Sequence, residues 1–480
     1  MIPALLVLSL LPGLLAFPSV ARAQAAGPGV EAVAPALEHQ AEGEGGETEL
    51  PPVWMVSFFI VMLLSIAIFP LTPAHRWWES NWNRLLVAVV VGLYPGVYYI
   101  FHDIHALEHT LLTEYVPFIA LLGSLFVIAG GIRLTGDLKA NPAVNAAFIG
   151  IGALLASVIG TTGASMLLIR PLLETNRERK YKVHTVIFFI FLVSNIGGCL
   201  LPIGDPPLFL GYLAGIPFFW TLNLWHIWLP AVFLVLGLYY ILDHRYYRKE
   251  APGAIAWDAT NIEPLRIRGS VNFLWLMGVV AAVIFMNESS PVPLFRVMYM
   301  REATMGLMVI LSYVTSPKGI REANKFTWAP IAEVAALFLG IFVTVIPALI
   351  LLNLRGSELG VDTPFKFFWG TGTLSSFLDN APTYFVFFKT AAGLAASGAV
   401  HGVELIGMRT DQVPVHFLEA ISVGSVFLGA MTYIGNGPNF MVKAIAEEMG
   451  VRMPTFGGYM KWSLLVLLPV YLGISLVFFH

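Results

Sequence analysis

The sequence predicts an all-α polytopic membrane protein of about ten transmembrane crossings, with inverted repeats, two re-entrant hairpins and two broken helices. Three observations carry that prediction. Of 480 residues, 57% are hydrophobic and only 12% charged, with a mean hydropathy of +0.76, more apolar surface than one water-soluble core can absorb. Apolar runs long enough to span a bilayer recur along the chain. The stretch IGDPPLF, Ile203 to Phe209, returns as IGNGPNF, Ile434 to Phe440, each inside an apolar segment. The net charge of -3 says nothing of partners, because the side of the membrane each charge occupies matters more than the sum. The single cysteine, Cys199, excludes an intrachain disulfide and a thiolate metal site.

Taken in order, residues 1–23 have an apolar core and end in Ala21-Arg22-Ala23, the small-x-small pattern of a signal peptide. The n-region lacks Lys and Arg, so an uncleaved anchor is the alternative. Residues 24–50 are rich in Ala, Gly and Glu without apolar period, a disordered acidic tether. Spanning runs follow near 53–70, 83–101, 115–133, 184–216, 222–242, 270–287, 303–316, 328–352, 416–446 and 462–479. With the tether outside, roughly twenty Lys and Arg fall on the cytoplasmic side and about six on the other. This predicts an integral protein of a bacterial inner (plasma) membrane, tether and C-terminus outside the cytoplasm.

Two apolar stretches do not fit as crossings. Residues 143–173 rise through AAFIGIGALLASVIG, turn at TTGAS (Thr161 to Ser165) and return to Arg170, with Lys139 and Arg177 flanking. Residues 364–394 enter through FKFFWGTG, turn around SSFLDNAPT (Ser376 to Thr383 at its centre) and leave through YFVFF. The charge distribution opens the two hairpins to opposite faces. Ahead of each hairpin, Ala120-Leu121 and Phe126-Val127 match Ala336-Leu337 and Phe342-Val343. That offset sets Gly163 opposite Asp379, and IGDPPLF then pairs with IGNGPNF. The organisation is an inverted repeat over 115–245 and 328–480, with scaffold helices at 53–110 and linker and scaffold helices at 250–320.

A membrane helix interrupted by Pro and Gly exposes carbonyls on one half and amides on the next, and survives only where it lines a cavity. Gly204, Pro206 and Pro207 make the first break; Gly435, Gly437 and Pro438 make the second. Two breaks and two hairpin tips would converge on a site where amide ends favour anions and free carbonyls favour cations. A proline kink that binds nothing is the alternative. Asp205 and Asp379 stand at a break and at a tip, where a charge is expensive unless paired or protonated. Either can hold a proton or a sodium ion, or can simply cap its half-helix. Asn436 offers a neutral oxygen suited to a hard cation. Thr161, Thr162, Ser165, Ser194, Asn195, Ser375, Ser376, Asn380, Thr383, Thr432 and Asn439 supply further oxygens and amides, and several of these are equally suited to close helix packing. Glu333 and Glu419 sit near span ends facing the headgroup region or a helix N-terminus. Lys389 and Lys443 are placed to snorkel.

HDIHALEH holds His105, Glu108 and His109 in the H-x-x-E-H spacing of an inverted zinc peptidase. It lies in a short loop between predicted spans, where a solvated interface or adventitious metal binding competes with catalysis. No nucleotide-binding loop is present in the sequence, and no feature calls for nucleic acid, a resident cofactor or an enzyme.

The stretch from about 115 to 480 resembles the ion transporter superfamily, which includes NhaD-type sodium/proton antiporters and citrate transporters. The resemblance is densest at SSFLDNAPTYFVF, whose S-x-x-x-D-N-x-P core is Ser375, Asp379, Asn380 and Pro382. It implies two broken-helix hairpins, a homodimer and an elevator-like movement of a transport domain. Carboxylate symporters of this kind resemble one another through Ser-Asn-Thr at both tips. Here the first tip is Thr-Thr-Gly and the second Leu-Asp-Asn. The expectation is a secondary antiporter in which sodium and protons compete for Asp379 and Asp205. Asn380, Asn195 and Asn436 assist, and Asp379→Asn abolishes exchange. A citrate or dicarboxylate transporter is the alternative, and a membrane zinc peptidase the remote one. Its partners are the bilayer and small ions or carboxylates, and sodium is carried rather than held.

Overall fold

Proline, glycine and short polar caps divide this apolar chain into helices, and the computed structural model describes residues 50–260, 262–287, 290–400, 402–407 and 412–480. The signal peptide and all of the tether but the exposed Leu50 lie outside the described residues. Leaving aside four-residue turns, the helices of the first half are α1 Val56–Ile68, α2 Asn81–His102, α3 Ile104–His109, α4 Val116–Ala129, α5 Pro142–Ile159, α6 Thr161–Thr175, α7 Val183–Leu192, α8 Pro206–Leu213, α9 Trp225–Tyr247 and α10 Pro252–Thr260. Then come α11 Val271–Phe285, α12 Met300–Thr315, α13 Ala329–Arg355, α14 Pro364–Phe377, α15 Asn380–Ala396, α16 Val415–Leu428, α17 Gly437–Glu448 and α18 Phe456–Phe478. Seven helical segments among the described residues are long and apolar enough to cross a membrane.

The described residues are mostly helical, as expected, and two short ribbons lie between the helices. Strand β1, Arg133–Asp137, pairs antiparallel with β2, Glu263–Arg268, and β3, Leu405–Ile406, pairs with β4, Val413–Pro414. Both ribbons are short and lie in connections between helices, where backbone groups must find partners outside a helix. The first ribbon joins residues assigned from sequence to different units, 115–245 and 250–320.

Helix α13 is the central post. Its apolar faces pack against α1, α2 and α15, and Phe118 of α4 stacks on Phe338 at 4.7 Å between ring centres. Glu333, expected to face the headgroup region or a helix N-terminus, lies near the start of α13 and pairs with Arg84 of α2 at 2.9 Å. Glu419 lies 3.2 Å from His416. The ammonium groups of Lys389 and Lys443 lie over the rings of Phe385 and of Tyr433 and Phe440 respectively, in cation–π arrangement.

The two hairpins have their bases at opposite ends of α13. At the start of α13, Asn324 donates to the carbonyls of Gly130 and Ile132, which lead into β1 and the base of the α5–α6 hairpin. At its end, Gly393 of the α14–α15 hairpin lies against the carbonyls of Leu352 and Asn353. The first base is closed by Asn145 and Asn176, which exchange amide bonds of 2.8 and 2.9 Å. Beside them Arg179, His184 and Asp243, all buried, form an ionic clasp with Arg179–Asp243 at 2.5 Å and His184–Asp243 at 2.8 Å.

HDIHALEH is helix rather than loop. Asp103 accepts from the Ala106 amide at 3.0 Å and starts α3, which runs through a π-helical turn, Thr110–Tyr115, into α4.

Candidate functional site

Each hairpin reverses within one or two residues. Gly160, at φ 79, ends α5 and starts α6, a left-handed backbone that only glycine adopts at low cost. TTGAS is therefore not the turn, as expected from sequence, but the first turn of α6. Leu378 and Asp379 separate α14 from α15, and Asp379 accepts from the Ala381 amide at 3.2 Å. When helix caps are matched, Gly160 rather than Gly163 stands opposite Asp379, and Thr161 opposite Asn380. The short turn shifts the correspondence that the preceding helices suggested.

The two breaks share one geometry. Asp205 and Asn436 are extended, at φ -141 and -152, and immediately precede α8 and α17. Pro206-Pro207 and Gly437-Pro438 fill the first two helical positions, where an amide proton is not needed. The prolines thus start a new half-helix rather than kink an old one. Ahead of each cap the chain folds back in a tight loop, with Gly204 against the Gly198 carbonyl. At the second break a Cβ on Gly435 would stand 2.5 Å from the Gly429 carbonyl.

Hairpin tips and breaks meet at Asp205, which is 1% exposed. Thr161 donates its hydroxyl to Oδ1 at 2.8 Å, Asn436 donates Nδ2 to the same oxygen at 3.1 Å, and Asn380 donates Nδ2 to Oδ2 at 2.5 Å. The Thr161 amide also donates to the Gly204 carbonyl at 2.8 Å. One carboxylate thus ties the first tip, the second tip and the second break to the first break. Its three hydrogen-bond partners among the described residues are neutral.

A second layer binds the breaks to one another. Asn195 donates to Asn439 Oδ1 at 2.7 Å, and Asn439 donates to the carbonyls of Gly429 and Thr432, both at 2.9 Å. Asn436 also donates to the Ser194 carbonyl at 3.1 Å, and Ser165 and Ser194 hydroxyls lie 2.8 Å apart. Thr432 donates to the Ser376 carbonyl. Two buried amide oxygens, Asn195 Oδ1 and Asn380 Oδ1, have no hydrogen-bond partner among the described residues. Orphaned buried oxygens are costly unless something else meets them.

Other expected residues bond to backbone groups close by. Ser375 donates to the Ser425 carbonyl at 2.6 Å, and Ser376 to those of Gly372 and Leu428 at 2.9 and 3.0 Å. Thr383 bonds back to the Asp379 carbonyl at 3.0 Å. Asp379 and Thr162 are half-buried. His105–Glu108 and His109–Glu114 contacts are both 3.8 Å, with His105, Glu108 and His109 exposed and Glu114 half-buried. Among the described residues, no group of three or more His, Cys, Asp or Glu is arranged to hold a metal. The sequence reading missed Ser157, which accepts from the Leu200 amide at 3.2 Å and donates to the Gly197 carbonyl at 2.5 Å. It also missed Gly160, Gly198 and Gly429; the pairs Gly197-Gly198 and Gly429-Ala430 ahead of each break were the available signal.

Four half-helices, α6, α8, α15 and α17, begin at this junction, and their amide ends carry partial positive charge of roughly half a unit each. The helices that precede them bring carbonyls to the same place. Over residues 47–479 the chain matches a family described as "Putative citrate transport". The chain belongs to that family. No curated protein matches it. As a member of the citrate-transport family it is an ion transporter superfamily membrane protein of citrate-transporter type. In that setting the amide ends suit carboxylate groups. Asp205 with the free amide oxygens suits a small hard cation.

Proposed function

We propose that the chain is a cation-coupled secondary transporter of a citrate-like carboxylate, with the cation held beside Asp205. The observation that carries this reading is the junction itself: four amide ends converge on one buried carboxylate whose partners are all neutral. Alone, Asp205 repels an anion. Once a sodium ion or proton neutralises it, the amide ends are left to attract carboxylates, so anion binding requires the cation and coupling follows from charge. Asn195 Oδ1 and Asn380 Oδ1 are the further oxygens a sodium ion would take.

The architecture that goes with this reading has about ten crossings and an inverted repeat over 115–245 and 328–480. The recurring order of long helix, hairpin, broken helix and closing helix supports it. The α5–α6 base would face the cytoplasm of a bacterial inner membrane, because Lys139, Arg177, Arg266 and Arg268 gather near it. The C-terminus would lie outside and the protein would work as a homodimer.

Sodium/proton exchange is the second reading, favoured by the lack of a cationic hydrogen-bond partner for Asp205 among the described residues. Purified protein in liposomes separates the two. Citrate uptake that needs inward sodium or proton gradients supports carboxylate transport. A sodium pulse that collapses a preformed pH gradient without any carboxylate, with no citrate uptake, replaces it with exchange.

A further inference from the structure

Helices α6 and α17 both start at Asp205 and pack side by side. An ion pair joins them where α17 ends, from Arg170 within α6 to Glu448 at 3.0 Å, roughly 14 Å from Thr161 by helical rise. The other oxygen of Glu448 meets Lys325. One carboxylate thus bridges two cations from separate segments, at the end of α17 remote from the junction.

Three features set this bridge apart from an ordinary surface pair. Glu447 and Glu448 close α17, the helix end where carboxylates are disfavoured by the backbone dipole, so cations must hold them there; Lys443 holds Glu447 at 2.9 Å. Lys325 sits at φ 53, with its amide bonded to the Glu322 carbonyl and that of Phe326 to the Arg321 carbonyl. That is the helix stop in which glycine is usual, so a lysine there carries backbone strain. Arg170 uses only one edge: its Nε is buried with no hydrogen-bond partner among the described residues, although a carboxylate can engage Nε and an Nη together.

We propose that Arg170 and Lys325 form a carboxylate-recognition subsite at the mouth of the transport path, and that Glu448 fills it until a substrate carboxylate displaces it. The bridge is suited to exchange, with Glu448 38% and Lys325 62% exposed, because pairs so open to water are weak. Substrate is thereby screened for a carboxylate before it reaches the amide ends around Asp205. The inference rests on the carboxylate reading above.

The test is citrate uptake against concentration in proteoliposomes containing wild type, Arg170→Gln, Lys325→Gly or Glu448→Gln, with unfolding temperature in detergent and sodium dependence of uptake alongside. Lys325→Gly relieves the strained backbone, so it keeps the fold while deleting the cation. Arg170→Gln and Lys325→Gly are expected to raise KM about tenfold with kcat little changed, and Glu448→Gln to lower KM about threefold, because it removes the internal competitor. Sodium dependence should be the same in all four. If Glu448→Gln raises KM as the cation variants do, or if KM is the same throughout, the bridge is a strap and the subsite is rejected. If wild type takes up no carboxylate but exchanges sodium for protons, the functional reading fails first and the subsite goes with it.

Discussion

At the residue scale, two carboxylates that look equivalent in sequence have different surroundings. Asp379 and Asp205 each stand beside a Pro-containing interruption, which predicts the same task for both. Asp379 is half-buried and caps its own helix through the Ala381 amide, whereas Asp205 is buried and joins three other segments. Asparagine caps about as well as aspartate. Asp379→Asn is therefore expected to leave transport within about threefold of wild type, and Asp205→Asn to reduce it at least tenfold, roughly 1.4 kcal/mol or more. Uptake at equal protein level in liposomes measures both. A severe Asp379→Asn defect with a mild Asp205→Asn one would return the central role to Asp379. The types of residue needed were legible in IGDPPLF and LDNAP. Which carboxylate gathers the other segments was not, because that depends on segments as far as 231 residues apart in the chain meeting at one point.

At the element scale, the breaks depend on backbone approach as much as on proline. Any side chain at Gly204 meets the Gly198 carbonyl. Gly204→Ala should cost about 1–3 kcal/mol, lowering the unfolding temperature in detergent and reducing transport. Gly237 in α9 has open space around it, and Gly237→Ala should be neutral or stabilising by up to about 1 kcal/mol. Equal behaviour of the two variants would show that the Gly204 loop yields to a methyl group. The helix around His105, Glu108 and His109 is exposed, with weak contacts. Glu108→Gln should leave unfolding within about 0.5 kcal/mol and transport unchanged. Loss of transport in that variant would give the H-x-x-E-H spacing a role the geometry does not supply.

At the scale of the whole molecule, the hairpin bases lie far apart and their tips meet, so stability and function are linked through the junction. The clasp of Arg179, His184 and Asp243 fixes the first base. Asp243→Asn leaves a buried guanidinium short of its partner and should cost about 3–5 kcal/mol, read as a fall in unfolding temperature with or without substrate. If cation and carboxylate bind the folded protein cooperatively, sodium and citrate together should raise the unfolding temperature by more than the sum of their separate effects. Strictly additive shifts would mean that the two do not share the junction.

The sequence alone determined that the chain belongs in a membrane, where its helices are interrupted, and which polar residues accompany the interruptions. These properties are local: hydropathy, proline and glycine act within a turn or two of where they stand. Tertiary structure decided the turn at Gly160, the pairing of Arg84 with Glu333, the gathering of three other segments on Asp205 rather than Asp379 and the bridge of Glu448 between Arg170 and Lys325. Each of these depends on distant segments packing against one another, and burying a charge is tolerable only where such packing delivers its partners.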